Sequence, residues 1–196
     1  MLKRREAGLG LVELMIGVVI LGLMVAMAVP SMATWMRNAR VRTVADAIQS
    51  SVRLAQAEAQ RRGHAVVMFR TADRDCTNTT TADANGQFWQ VRALPGTLIN
   101  AQPSVAVQCG VLTDVQVGVT ITSTATALCF SGEGRQITLA DPDGIGVSCA
   151  AAVASFDVTP DATHAENRPL RVTAGLAGAV RICDPLKAGT APDGCR

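Results

Sequence analysis

The chain has 196 residues, of which 48% are hydrophobic and 17% charged. That is too apolar for a disordered chain and long enough for one globular domain with additions. Its 18 basic and 16 acidic residues leave a formal net charge of +2, which gives no global field to attract nucleic acid or an anionic surface. Aromatics are only 3% and tyrosine is absent, so Val, Ala, Leu and Ile must fill the core. The small basic surplus sits at one end: without Lys3, Arg4, Arg5 and Glu6, 15 residues of each sign remain.

Residues 14–32 carry no charge, close to the roughly 20 apolar residues that a membrane-spanning helix needs. Lys3, Arg4 and Arg5 precede this run, so the positive-inside rule keeps the N-terminus cytoplasmic and sends the rest outward. A cleaved secretory signal competes, with Ala26-Met27-Ala28 as its cleavage site. The run is long for a signal core, however, and Pro30 lies just beyond that site. A plain anchor helix is the second competitor. Glu13 decides between them, because a carboxylate deep in an apolar helix costs about 2–3 kcal/mol and is kept for a partner.

Around that carboxylate the sequence reads Gly8-Leu9-Gly10-Leu11-Val12-Glu13-Leu14-Met15. It resembles the class III signal of type IV prepilins, in which a short basic leader ends in Gly and Glu stands fifth in the mature chain. Counting from Leu9, Glu13 is fifth and Pro30 twenty-second, both positions where pilins carry those residues. Leu9 stands where the family usually has Phe. The resemblance implies that an inner-membrane prepilin peptidase cuts between Gly8 and Leu9 and methylates the new Leu9 amine. That amine stays cationic near neutral pH. During assembly Glu13 pairs with the Leu9 amine of a neighbouring subunit, a buried ion pair that fixes register. Residues 1–8 are then a leader peptide and residues 9–36 a transmembrane and filament-core helix. The mature subunit is expected to be single-pass in the bacterial inner membrane, with its C-terminal domain in the periplasm, and later to join a filament.

The helical period continues beyond the membrane segment. Val41, Val44, Ile48, Val52, Ala55 and Ala59 recur in steps of three or four, the pattern of an amphipathic helix. Arg40, Arg53, Gln56 and Gln60 fall on the wetter side, and Gly63 after Arg61-Arg62 is a C-terminal stop. One helix from Leu9 to Arg62 would be roughly 80 Å long at 1.5 Å per residue. Pro30 should kink it, because proline removes a backbone donor and crowds the preceding turn. Residues 37–62 are the amphipathic half, and SVRLAQAEAQRRGHAVV from Ser51 to Val67 resembles the GspH/FimT pattern of an Ala-rich helix end running into a first strand.

From Gly63 the period changes to alternation, and residues 63–196 read as a β-rich globular domain. Strands are expected at 66–69, 88–91, 115–121, 127–130, 135–139, 153–158, 170–173 and 179–183. Ser131-Gly-Glu-Gly134 and Ala174-Gly-Leu-Ala-Gly178 are turns between them. Cys129-Phe-Ser-Gly-Glu-Gly-Arg135 resembles the Phe-then-Gly-turn hairpin of GspH-type domains. The polar stretch from Cys76 to Gln87 should be an exposed loop. One long helix followed by strands, without βαβ alternation, predicts an α+β fold in which the helix packs on antiparallel sheet.

Cys76, Cys109, Cys129, Cys149, Cys183 and Cys195 are dispersed downstream of the membrane segment and form no CxxC pair. This reads as disulfides formed in an oxidising compartment. Many connectivities are open; pairing sequence neighbours gives Cys76–Cys109, Cys129–Cys149 and Cys183–Cys195. His64 and His164 lack ligand partners at metal spacing, and no GxSxG, HExxH or phosphate-binding loop occurs. No enzyme, metal or cofactor is expected. Asn78-Thr79-Thr80 matches a glycosylation sequon and Trp89 is a core or interface aromatic.

The leading expectation is a minor pilin or pseudopilin, a structural subunit of a type IV pilus or type II secretion pseudopilus. Its partners would be other pilin subunits, the prepilin peptidase and the inner membrane. A DNA-binding minor pilin of FimT type is the alternative. Such receptors carry Gly-Arg-x-Arg near the last strand, where this chain has Gly178-Ala179-Val180-Arg181. Arg181, Lys187 and Arg196 are the candidate phosphate contacts.

Overall fold

A computed structural model describes residues 10–96, 103–114, 117–161 and 166–195, without the side chains of Ala28 and Pro30. The chain divides into two units, Met1–Met36 and Arg37–Arg196. Helix α1, Leu11–Arg62, contributes to both. Gly10 O starts it by accepting Glu13 N at 3.0 Å, and Gly63 ends it at φ 68°. Arg61 and Arg62 in the last turn both bond Glu58, three and four residues back, and the Arg61 bond holds the Glu58 carboxyl below its ordinary range. The backbone is helical through position 30, the site of the expected kink, and the proline side chain lies outside the described residues.

Within 37–196 the remaining elements are β1 (Val66–Thr71), β2 (Phe88–Ala93), β3 (Val105–Val111), β4 (Val119–Ser123), β5 (Ala127–Phe130), β6 (Ala154–Pro160), β7 (Leu170–Ala174) and β8 (Val180–Cys183). They form two four-stranded sheets, ordered β3-β2-β1-β5 and β4-β6-β7-β8, with every pair antiparallel. The helical seam expected from the sequence is the centre of the core: Val41, Val44, Ile48, Val52, Ala55 and Ala59 are all 0–1% exposed. They share one cluster with Met68, Val91 and Phe130 of the first sheet and Phe156, Val158 and Val172 of the second. Both sheets therefore close on the helix, and apolar burial drives that closure.

Polar residues flanking the seam are used as well. Arg40 donates to Val117 O at 2.8 Å and Gln56 to Gly134 O at 3.0 Å. Gly178, at φ 85°, passes so close that a Cβ there would lie 2.0 Å from the Gln56 amide. Only glycine fits both the left-handed backbone and the approach.

The first sheet is covered on both faces, which the alternation of β1 makes visible. Val66 and Met68 join the helix-side cluster, whereas Val67 and Phe69 join a second one with Cys129, Ile145 and Cys149. The loop after β1 contributes to this outer cover. Expected to be an exposed polar loop, it buries Thr80 to 3% and lends its carbonyls to side chains from the strands. Arg92 donates to Thr80 O at 2.7 Å and Thr77 O at 3.2 Å, and Gln90 to Thr77 O at 2.7 Å. Arg70 likewise donates to Gly86 O at 2.9 Å.

Three strand expectations need correction. β3 was not foreseen: its residues are half-exposed without alternation, and it contains Gly110, which pairs with Trp89 and has no room for a side chain because the Trp89 ring lies 2.6 Å from where a Cβ would stand. β4 begins at Val119 rather than 115, since Gly118 turns the chain at φ 89°; residues 115 and 116 lie outside the described residues. Residues 135–139 form single bridges, Gln136 to Phe130 and Leu139 to Cys149, instead of a ladder. The Gln136 side chain there turns to Ala174 O and Gly175 O, both at 3.0 Å.

Candidate assembly segment and surface sites

The segment around Glu13 is a helix with no cover of its own. From Leu11 to Met36 its large apolar side chains stand 45–78% exposed, and Glu13 is exposed among them. α1 is the one helix among the described residues long and apolar enough to cross a membrane. Glu13, Gly17 and Leu21 share one face at steps of four, along a shallow groove that also takes in Leu14 and Val18. A carboxylate displayed on an apolar surface is costly in a membrane or a helix bundle unless a cation meets it. Gly8 and Leu9, the expected cleavage and methylation positions, lie outside the described residues, as do Lys3, Arg4 and Arg5.

The six cysteines form three disulfides: Cys76–Cys109, Cys129–Cys149 and Cys183–Cys195, with Cα–Cα distances of 5.8, 5.7 and 5.0 Å. The first two fasten the loops that cover the outer face of the first sheet. The third closes the C-terminal loop, which Asp184 and Gly194 also join by a bridge and Lys187 and Asp193 by an ion pair. That bond from Lys187 holds the Asp193 carboxyl below its ordinary value.

Of the candidate DNA contacts, the two described ones, Arg181 and Lys187, are not brought together. Arg181 is exposed on β8, alternating with Val180 and Ile182, which belong to or pack on the core. Lys187 instead lines a groove on the Ile182 side with Asn38, Arg42 and Asp46, and its charge is taken by Asp193. Arg196 lies outside the described residues. Gly178, the residue that began the receptor-like stretch, is explained by its contact with Gln56.

Other sequence candidates also find structural roles. Trp89 is 7% exposed in the core. The Asn78 amide of the sequon donates to Ser104 O at 2.9 Å and accepts from Ala106 N at 2.7 Å. His64 bonds its neighbour's carbonyl, Ala65 O, and His164 lies outside the described residues. No group of three potential metal ligands occurs among the described residues.

One cluster escaped sequence analysis. Arg92, 1% exposed, donates to Asp143 at 3.2 Å and stacks 5.1 Å from the Phe69 ring centre. Burial pushes its guanidinium below its ordinary value, and Asp143 opposes that shift. Asp143 reaches it from a tight turn, Pro142–Gly144, where Asp143 and the preceding Asp141 both take left-handed φ. No sequence signal marks Arg92 as buried, because its partners come from two distant loops.

Comparison with known proteins agrees with this geometry. Residues 3–29 match the model of the prokaryotic N-terminal methylation motif. No curated protein matches the chain. Among solved structures, the type IV minor pilin FimU of Pseudomonas aeruginosa aligns with a TM-score of 0.50 and 12% identity, over 77% of this chain and 93% of that chain. The minor pseudopilin EpsH from the type 2 secretion system of Vibrio cholerae aligns with a TM-score of 0.47 and 14% identity, over 76% of this chain and 99% of that chain. The chain thus carries a match to the prokaryotic N-terminal methylation motif at the start of a long helix packed on antiparallel sheets, and its fold is similar to that of a type IV minor pilin.

Proposed function

We propose that the chain is a minor pilin or pseudopilin, a structural and non-enzymatic subunit that assembles with other pilin subunits in a type IV pilus or a type II secretion pseudopilus. The observation that carries this is the exposed apolar helix bearing Glu13, continuous in sequence with a body whose own core is complete. Such a helix needs either lipid or other helices around it, and a filament supplies the second after a membrane has supplied the first. In this reading a prepilin peptidase cuts after Gly8 and methylates Leu9. Positive charge at Lys3, Arg4 and Arg5 retains the leader in the cytoplasm, and the body folds in the periplasm, where its cysteines oxidise. Glu13 then meets the Leu9 amine of a neighbour. The DNA-receptor alternative loses support, since Arg181 and Lys187 are not brought together and Lys187 is already paired with Asp193.

Glu13→Ala tests the reading in cells that make the filament. The processed subunit should accumulate in the membrane while its share in sheared filaments falls at least tenfold, a cost of about 1.4 kcal/mol or more. Wild-type incorporation of the variant would contradict an assembly role for this carboxylate.

A further inference from the structure

The filament role leaves one surface of the 37–196 unit unexplained. Its two most exposed large apolar side chains among the described residues are Val117 at 74% and Leu186 at 73%. Both lie where the chain comes in from the apolar segment. Arg40 donates to Val117 O at 2.8 Å. Leu186 adjoins Lys187, which lines a groove of about 400 Å³ with Asn38, Arg42 and Asp46. Leu186 is also held in place, because the disulfide Cys183–Cys195, the Asp184–Gly194 bridge and the Lys187–Asp193 ion pair all fasten its loop. An exposed leucine on an immobilised loop loses little entropy on docking.

Chain connectivity identifies the partner. The apolar segment ends at Met36, and Asn38 to Arg42 follow it within roughly 9 Å at 1.5 Å per residue. The headgroup layer on each side of a bilayer is roughly 5–8 Å deep. Charge identifies the mode of contact. Around the groove Arg42, Arg168 and Lys187 are matched by Asp46, Asp184 and Asp193. A balanced surface is not drawn to anionic charge, which leaves the apolar tips as the source of attraction.

We propose that this end of the 37–196 unit rests on the bilayer surface before assembly, with Val117 and Leu186 dipping into the boundary between headgroups and acyl chains. The contact orients the waiting subunit and must be broken when it is drawn into a filament. It rests on the reading of residues 11–36 as a membrane anchor.

The test uses the full chain in phosphatidylcholine vesicles whose acyl chains carry bromine, a short-range quencher of tryptophan. Native Trp35, in the apolar segment, reports anchoring independently. With Trp35→Phe as background, Leu186→Trp should be quenched roughly threefold more than Leu176→Trp, at low and high salt alike. Leu176 is the control because it is 47% exposed and lies at the other end, where its carbonyl accepts Gln136 N. Equal quenching of the two reporters, with native Trp35 still quenched, overturns the docking and leaves anchoring intact. Loss of Trp35 quenching removes the anchor and the docking together. A blue shift of Leu186→Trp that grows with protein density, without quenching, assigns the face to a second copy and also overturns the proposal.

Discussion

Residues 11–36 and residues 41–59 belong to one helix and are both rich in Val, Ala, Leu and Ile, yet they differ in what covers them. In the second stretch the apolar residues form a stripe, and the two sheets cover it completely, leaving Val41, Ile48, Val52, Ala55 and Ala59 at 0% exposure. In the first they run all round the helix and nothing covers them, so Ile20 remains 49% exposed and Leu11 74%. The difference shows how pattern, rather than hydrophobicity, states where a partner comes from. A stripe is satisfied by the chain's own sheets, whereas an apolar cylinder needs a surround that one subunit does not contain.

That contrast can be sharpened by substitution, beginning with the body. Arg92→Ala removes the cation that holds two covering loops and leaves the carboxylate of Asp143 without its partner. The loss should be about 3–5 kcal/mol, less whatever solvent recovers at the 18% exposed Asp143. Urea unfolding of the full chain in detergent measures it, and a change below about 1 kcal/mol would show that the outer cover does not depend on this arginine.

A matched pair compares the helix stretches directly. Ile48→Ala should cost about 2–5 kcal/mol in the same urea titration, because the sheets cannot collapse fully into the cavity. Ile20→Ala removes the same atoms from an uncovered site and should leave the unfolding midpoint of the body unchanged. Equal shifts for the two would mean that residues 11–36 are part of the folded core. The smallest effect belongs to Arg181→Ala, exposed on β8, which should stay within about 0.5 kcal/mol of wild type. The same variant should leave DNA retention in a gel shift unaltered at physiological salt; retention that disappears with Arg181 would restore the receptor role.

How much was legible in the sequence follows the same division. The seam from Val41 to Ala59 could be read because helical spacing repeats over several turns, β1 and β5 because they are short apolar runs buried on both faces, and β7 because it alternates. The turn at Gly134 and the β7–β8 turn could be read from their glycines, although not the reason Gly178 is needed, which lies in Gln56 more than a hundred residues earlier. β3 could not, since its half-exposed residues have no face pattern and its glycine reads as a break. Residues 115–121 misled because VQVGVTI alternates perfectly while its glycine adopts a backbone that ends pairing. The polar run from Cys76 to Gln87 misled for a different reason. Its side chains are mostly exposed as composition predicts, but its carbonyls are buried partners of Arg70, Gln90 and Arg92, and composition says nothing about carbonyls. Of the assembly segment, Glu13 stood out because a carboxylate is expensive among apolar residues, a cost visible in sequence alone.

The central claim is that the apolar helix is kept for partners and is exposed for assembly by processing at Gly8. Intact mass of the chain co-expressed with a prepilin peptidase tests it most directly. The account predicts loss of Met1–Gly8 together with the mass of one methyl group on the new Leu9 terminus. Cleavage after Ala28, or a chain left whole, would contradict it.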